Sequence, residues 1–392
     1  MDKKTTTARR SIAGLYRRIK RLHNAIPYFL MPGGRAFPAL HYFLEVTRRC
    51  NLRCRMCQFR EWYARTPAAE QAAGELTAAE WKSVIDQTAC YSLITFTGGE
   101  PWVREDFEEI LAYACQRRRA HVITNGLLLT EERIRRCVDL APRRLAGRGL
   151  YFVGMSIDGT EDIHNAIRGR DDAFARTIEN LTALARRRAE AGRKYPLLHV
   201  TSVIQDDNLE ALPELAAIVG AVGADVLNLT MEIRQLDPEG IGTVDPETFC
   251  DAVPPPPRIR PERLAKYLDR VREATARAGI DLRLPDMPRQ HVLAYHDGGL
   301  DLDEFTCRAA WSNLYIDARG GVFPCMIYRV GSVREQRLRT LWNCPEMRAF
   351  RRRLRDELYC ICQGCCHLEY AGPSTARARQ HRRNRDQQGG QP

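Results

Sequence analysis

At 392 residues and 44% hydrophobic content, the chain can bury one or more cores, which excludes a chain that stays unfolded by composition. No stretch approaches the roughly 18 uninterrupted apolar residues of a membrane-spanning helix. The formal charge of +11 sits at the ends: residues 1–40 hold nine Lys or Arg against one Asp, residues 371–392 hold five Arg against one Asp, and the body between is close to neutral, so no specific nucleic-acid partner is expected.

In chain order, the first pattern is Ile12, Leu15, Ile19, Leu22 and Ile26, one face of a helix, with Arg17, Arg18, Lys20 and Arg21 elsewhere on it. Such a helix suits either an anionic membrane surface, contacted through 12–26, or packing across the open side of the fold that follows. Strand-like runs at 41–47, 92–97, 119–124, 151–158, 197–204 and 225–230 then alternate with helical patterns at 77–88, 105–118, 130–140, 173–192 and 208–222. That alternation predicts an α/β fold with parallel pairing and right-handed crossovers. The pattern lapses after Thr230, and the proline run Pro254–Pro257 marks 231–260 as a connection. A helix is expected over Pro261–Ala278, a second cysteine-rich region over 301–370, and a disordered tail over Ala376–Pro392.

Fourteen cysteines, several only one to three residues apart, with no apolar signal segment, point to metal binding in a reducing cytoplasm rather than to disulfides. The densest group is Cys50, Cys54 and Cys57. A four-iron cluster on three thiolates keeps one iron open, whereas a zinc knuckle or buried free thiols are the plainer readings. Four segments follow at or near strand ends: Thr97-Gly98-Gly99-Glu100-Pro101, Gly154-Met155-Ser156-Ile157-Asp158-Gly159, His164-Asn165-Ala166-Ile167-Arg168-Gly169, and the run ending in Val203-Ile204. Taken singly they read as turns and strand core. Cys90, Cys115, Cys137 and Cys250 are scattered and read as packed small hydrophobes.

Together, the three-then-two cysteine spacing and these segments in this order resemble the radical S-adenosylmethionine (SAM) enzymes. The resemblance implies a partial (β/α)6, TIM-like barrel. It also implies a 4Fe-4S cluster on Cys50, Cys54 and Cys57 whose open iron takes the methionine moiety of SAM. The Gly98-Gly99-Glu100-Pro101 element would then let the backbone approach SAM closely with Glu100 near the methionine ammonium, Ser156 and Asp158 at the ribose, Arg168 at the carboxylate, and Val203 and Ile204 at the adenine. Met56 departs from the aromatic residue that many relatives carry before the third cysteine.

Farther on, Cys307 precedes a hairpin expected from Leu314–Asp317 and Gly321–Phe323, Cys325 follows it, and Cys362 and Cys365 close the series. The Gly320-to-Cys325 spacing resembles SPASM and twitch domains, which implies an auxiliary iron-sulfur cluster on Cys307, Cys325, Cys362 and Cys365. A structural zinc on the same four, or a second cluster drawing on Cys344, Cys360 and Cys366, stays open. The division expected is a basic extension (1–38), a radical SAM core (39–235), a linker and connecting helix (236–300), an α+β auxiliary-cluster domain (301–370) and a basic tail (371–392).

The implied activity is reductive cleavage of SAM to a 5'-deoxyadenosyl radical that takes hydrogen from a substrate, with a flavodoxin or ferredoxin as electron donor. Because 40 residues before the barrel are short for a peptide-recognition domain, the expectation is oxidation of a small molecule. A peptide or protein maturase is the alternative, and a non-catalytic metal-braced binding protein is the reading from another class. A cytoplasmic location is expected, peripheral at the membrane if the amino-terminal stripe meets lipid.

Overall fold

A computed structural model describes residues 19, 21–144, 147–233, 255, 258–325 and 328–375. Strands β1 (His41–Thr47), β2 (Leu93–Gly98), β3 (Arg119–Thr124), β4 (Gly149–Ser156), β5 (Leu197–Ile204) and β6 (Val226–Met231) lie side by side, each parallel to the last. Helices connect them, as the alternating pattern predicts. In β1, Tyr42, Leu44 and Val46 are buried in one core with Trp81, Ile85, Phe107 and Leu111 of the covering helices. His41, Phe43 and Glu45 alternate to the inner face and are only half-buried. The helix over Ala78–Asp86 starts at a capping box in which Thr77 and Glu80 satisfy each other's backbone N–H.

β7 (Asp281–Arg283) adds a further parallel strand beside β6, inside the stretch expected to be a connector. The predicted helix Pro261–Ala278 forms and ends at Gly279, whose φ of +68° is a left-handed cap. After β8 (Phe305–Thr306), the expected hairpin appears as β9 (Asn313–Ile316) and β10 (Gly321–Phe323), followed by β11 (Gly331–Ser332) and β12 (Glu369–Tyr370). β9 pairs parallel with β1, so the hairpin extends the core sheet into ten strands ordered β11-β10-β9-β1-β2-β3-β4-β5-β6-β7. The fold is therefore a mixed α/β, largely parallel sheet of the partial TIM-like kind. β12 pairs antiparallel with β8, which draws the last cysteine loop beside Cys307.

The amino-terminal helix, described over 21–30, corrects one expected placement. It docks through Asn24 and Tyr28, while Ile19, Leu22 and Ile26 face solvent rather than the barrel. Ile12, Leu15, residues 236–254 with Cys250, most of the proline run, and the tail 376–392 lie outside the described residues. Of the scattered cysteines that are described, Cys115 and Cys137 are buried as expected, but Cys90 is exposed. Among the described residues no helix is long and apolar enough to cross a membrane.

Candidate active site

Cys50, Cys54 and Cys57 lie on the loop that leaves the carboxyl end of β1. Three interactions hold that loop. Glu75 pairs with Arg49 at 3.1 Å, Arg55 N donates to the Ile167 carbonyl at 2.9 Å, and the Tyr63 hydroxyl donates to the Arg48 carbonyl at 2.6 Å. Burial pushes the Cys50 thiol up to about 12 and the Cys57 thiol up to about 11, each influenced by the charges of the other two cysteines or of Cys54. Met56 is half-buried among Leu52, Cys54 and Leu127.

The glycines of Gly98-Gly99-Glu100-Pro101 are required by the protein's own packing. A Cβ on Gly98, whose φ is +143°, would lie 2.1 Å from the Thr47 carbonyl, and one on Gly99 would lie 2.3 Å from that of Arg49. Gly99 N and Glu100 N donate to those two carbonyls at 2.8 and 2.9 Å, locking the turn to the start of the cysteine loop. Glu100 is fully buried, and its carboxylate accepts from Asn125 N at 2.7 Å, Thr124 Oγ1 at 2.8 Å and Trp102 N at 3.2 Å. Burial nevertheless raises its pKa to about 7, against the pull of those donors. Pro101 begins a short 3-10 turn, and its ring is buried.

Asn125 is a site residue that sequence reasoning missed; its signal was an Asn-Gly pair directly after β3. Its Nδ2 donates to Asn51 Oδ1 at 2.8 Å and lies 3.9 Å from Cys50 Sγ. Glu100 therefore positions Asn125, and Asn125 reaches the cysteine loop.

Ser156 ends β4, half-buried, opposite Thr201 of β5. Two residues on, Asp158 is fully buried: its N–H donates to His164 Nδ1 at 3.1 Å and its Oδ1 accepts from Val203 N at 3.3 Å. The segment 161–168 folds as a helix, Glu161–Arg168, ended by Gly169 at φ +69°. That end holds Arg168 with Nη2 2.7 Å from Asp158 Oδ2 and Nη1 3.7 Å from Cys54 Sγ, while Nε has no partner among the described residues. Val203 is half-buried on the inner side, and Ile204 alternates into the helix-side core. Three thiols on one loop beside a buried guanidinium with an unused Nε fit an iron-sulfur cluster with an open position and an anionic ligand next to it.

Along the inner face runs a row of rings that no local pattern announced. Tyr315 stacks on Phe43 at 4.6 Å, Phe43 lies 4.0 Å from His41, and His41 meets His121 edge-on at 6.4 Å. His121 contacts Phe152 at 3.7 Å, and Phe152 stacks on His199 at 4.5 Å. Sequence hides the row because its members come from five strands. Glu45, on the same face, pairs with Arg48 at 3.0 Å, and Arg48 pairs with Asp317 at 3.0 Å, joining the entrance of the cysteine loop to the β9–β10 hairpin.

The second cysteine group gathers at the far end of the row. Cys307 is buried, which pushes its thiol up to about 12, and it feels the charges of Cys325 and Cys366. The adjacent Cys365 and Cys366 thiols are electrostatically coupled, and Cys365 also feels both Cys307 and Cys325. Cys362 is buried in the turn before them, its carbonyl accepting from Cys365 N at 3.1 Å. Cys307, Cys325, Cys365 and Cys366 thus lie within electrostatic reach of one another, Cys366 being a residue that the sequence reading kept for a second cluster. Four thiols are the donor set of an iron-sulfur cluster. Gly364, at φ +76°, packs on the ring of Tyr295, whose hydroxyl donates to the Glu232 carbonyl just after β6.

Comparison with known proteins matches two family profiles: the radical SAM superfamily over residues 44–218 and an iron-sulfur cluster-binding (SPASM) domain over residues 307–366. A tungsten-containing aldehyde ferredoxin oxidoreductase cofactor-modifying protein of Pyrococcus furiosus is 25% identical over 83% of this chain and 86% of its own. A PqqA peptide cyclase of Granulibacter bethesdensis is 28% identical over 80% of this chain and 76% of its own. In fold, the chain is similar to Streptococcus suis SuiB bound to its precursor peptide SuiA, with a TM-score of 0.56 and 13% identity over 81% of this chain and 67% of that one.

Proposed function

The chain belongs to the radical SAM superfamily and carries a SPASM domain, and from that premise we propose that this enzyme modifies a peptide substrate by hydrogen abstraction. The observation that carries the substrate class is its similarity, across three quarters of that protein's length, to a PqqA peptide cyclase. A peptide also suits the inner face, where rings from Tyr315 to His199 offer a long surface for an apolar or aromatic side chain. The small-molecule substrate expected from sequence is the second reading, favoured by the relative named as a cofactor-modifying protein.

In this reading Cys50, Cys54 and Cys57 hold a 4Fe-4S cluster, and Gly98, Gly99, Glu100, Pro101, Ser156, Asp158, Arg168 and Val203 shape the place of SAM. When bound, these groups supply reductive SAM cleavage and a radical able to take hydrogen from an unactivated carbon. The protein's own residues bind and orient. Arg168 presents the unused Nε to a carboxylate, Asp158 holds Arg168, and Glu100 with Asn125 fixes the loop. Ile204, turned into the core, supports the strand from behind. Cys307, Cys325, Cys365 and either Cys362 or Cys366 hold the auxiliary cluster, and a flavodoxin or ferredoxin is the electron donor. The divisions at 39–235 and 301–370 are assigned to these two tasks.

The test incubates anaerobically reconstituted enzyme with SAM, reductant and synthetic peptides from short reading frames beside the gene. Mass spectrometry of the peptide and 5'-deoxyadenosine are followed together. Peptide that loses hydrogen in step with 5'-deoxyadenosine is expected; cleavage of SAM with every such peptide unchanged would sink the peptide reading.

A further inference from the structure

Among the described residues, five of the seven large apolar side chains exposed to solvent fall within one stretch: Ile19 (51% exposed), Leu22 (62%), Ile26 (42%), Phe29 (68%) and Leu30 (76%). At about 100° per residue these positions fall within an arc of about 100°. The opposite side of the helix is anchored. Asn24 Nδ2 donates to Ser312 Oγ at 3.1 Å, the Tyr28 hydroxyl meets Thr306 Oγ1 at 3.1 Å, and the Tyr28 ring lies edge-on to Trp311 at 4.9 Å. The stripe therefore cannot turn inward without breaking those contacts, and it stands outside the barrel and both cysteine groups.

Its sequence neighbourhood is cationic. No Asp or Glu occurs in the sequence between Asp2 and Glu45, whereas nine Lys or Arg lie in residues 1–40. Arg21, within this stretch, and Arg35, five residues after it, are exposed. A distant helix, Pro345–Asp356, adds to this: Arg348 and Arg352 donate to the Gly33 carbonyl at 2.9 and 3.2 Å, and Arg352 is exposed. Apolar side chains rimmed by arginines on a short helix match an element lying in a membrane interface. A second copy is the poorer occupant, since pairing two such faces sets arginines against arginines.

We propose that residues 19–30, with Arg21, Arg35 and Arg352, dock this enzyme on an anionic lipid surface. The proposal is independent of the substrate reading. Its test is co-sedimentation of the full-length, cluster-reconstituted protein with vesicles of phosphatidylcholine, with or without phosphatidylglycerol at about a third of the lipid. Binding is expected to the anionic vesicles, to weaken severalfold in high salt, and to be absent on pure phosphatidylcholine. The Leu22→Glu/Phe29→Glu variant should lose binding at least tenfold while keeping its iron content and SAM cleavage. Because both residues face solvent, Arg352→Glu serves as a second variant of opposite chemistry and should also weaken binding. Failure of the parent protein to bind anionic vesicles, or unchanged binding in both variants, overturns the proposal. So does a lipid-free dimer that Leu22→Glu/Phe29→Glu dissociates, which would assign the stripe to a second copy.

Discussion

Arg168 and Asp158 meet each other, with Nη2 2.7 Å from Oδ2 and both side chains nearly inaccessible. Their sequence patterns suggested separate ligand contacts, yet the pair is a structural unit that also touches Cys54 through Arg168. Removing one partner strands a buried charge, which costs about 3 to 5 kcal/mol. Asp158→Ala should therefore lower stability by that order, and Asp158→Ala/Arg168→Met should recover a large part of it. Denaturant unfolding of the parent, both single variants and the double variant measures the coupling. Additive losses would show that the two residues act separately.

Gly99→Ala should disable the site without unfolding the chain. A Cβ there meets the Arg49 carbonyl at 2.3 Å and the Arg48 carbonyl at 2.4 Å, and backbone cannot yield as a side-chain tip can. The cysteine loop has to shift. The expected result is iron content reduced by the share of one cluster and 5'-deoxyadenosine formation at least tenfold lower, with secondary structure unchanged by circular dichroism. Full activity in this variant would mean that the loop tolerates the displacement.

The reach of the sequence differed between levels of structure. Six strands were legible because β-branched and apolar runs alternate with helical periodicity, and the structure places five of the six strand starts within one residue of the expected positions. The exception is β4, which starts at Gly149 because glycine carries no pattern. The cysteine groups were legible because metal ligands come in short spacings. Contacts between strands were not. The ring row, the Glu45–Arg48–Asp317 bridge and the joining of β9 to β1 each depend on residues far apart in the chain. The direction of the amino-terminal stripe was equally hidden, because periodicity gives a face but not what it faces.

Replacing Cys50, Cys54 and Cys57 together by Ala should abolish 5'-deoxyadenosine formation and leave the auxiliary cluster, since the two groups lie on separate segments, the loop after β1 and the stretch from Cys307 to Cys366. With two four-iron clusters, each cysteinyl set accounts for about half of roughly eight irons. Cys362→Ala and Cys366→Ala then identify the fourth auxiliary ligand: one should lose about half of the iron and the other should not. Zinc at this site after anaerobic purification, or unchanged iron in both variants and in Cys365→Ala, would refute an auxiliary iron-sulfur cluster on these cysteines.

His199 gives the fold an acid-sensitive point. Its ring is stacked on Phe152, Nε2 has no partner among the described residues, and burial lowers its pKa to about 3. A folded-state pKa below the unfolded value near 6.5 means that the unfolded chain binds the proton first. The contribution is therefore fully present above pH 6.5 and is lost as pH falls toward 3, at about 1.4 kcal/mol per pH unit. His199→Phe keeps a ring against Phe152 and removes the titrating group. Its unfolding free energy should fall less than the parent's between pH 7.5 and pH 5.5, by about 1.4 kcal/mol. Denaturant midpoints of both proteins at the two pH values decide the matter, and parallel losses would show that His199 takes up its proton at the same pH in the folded and unfolded chain.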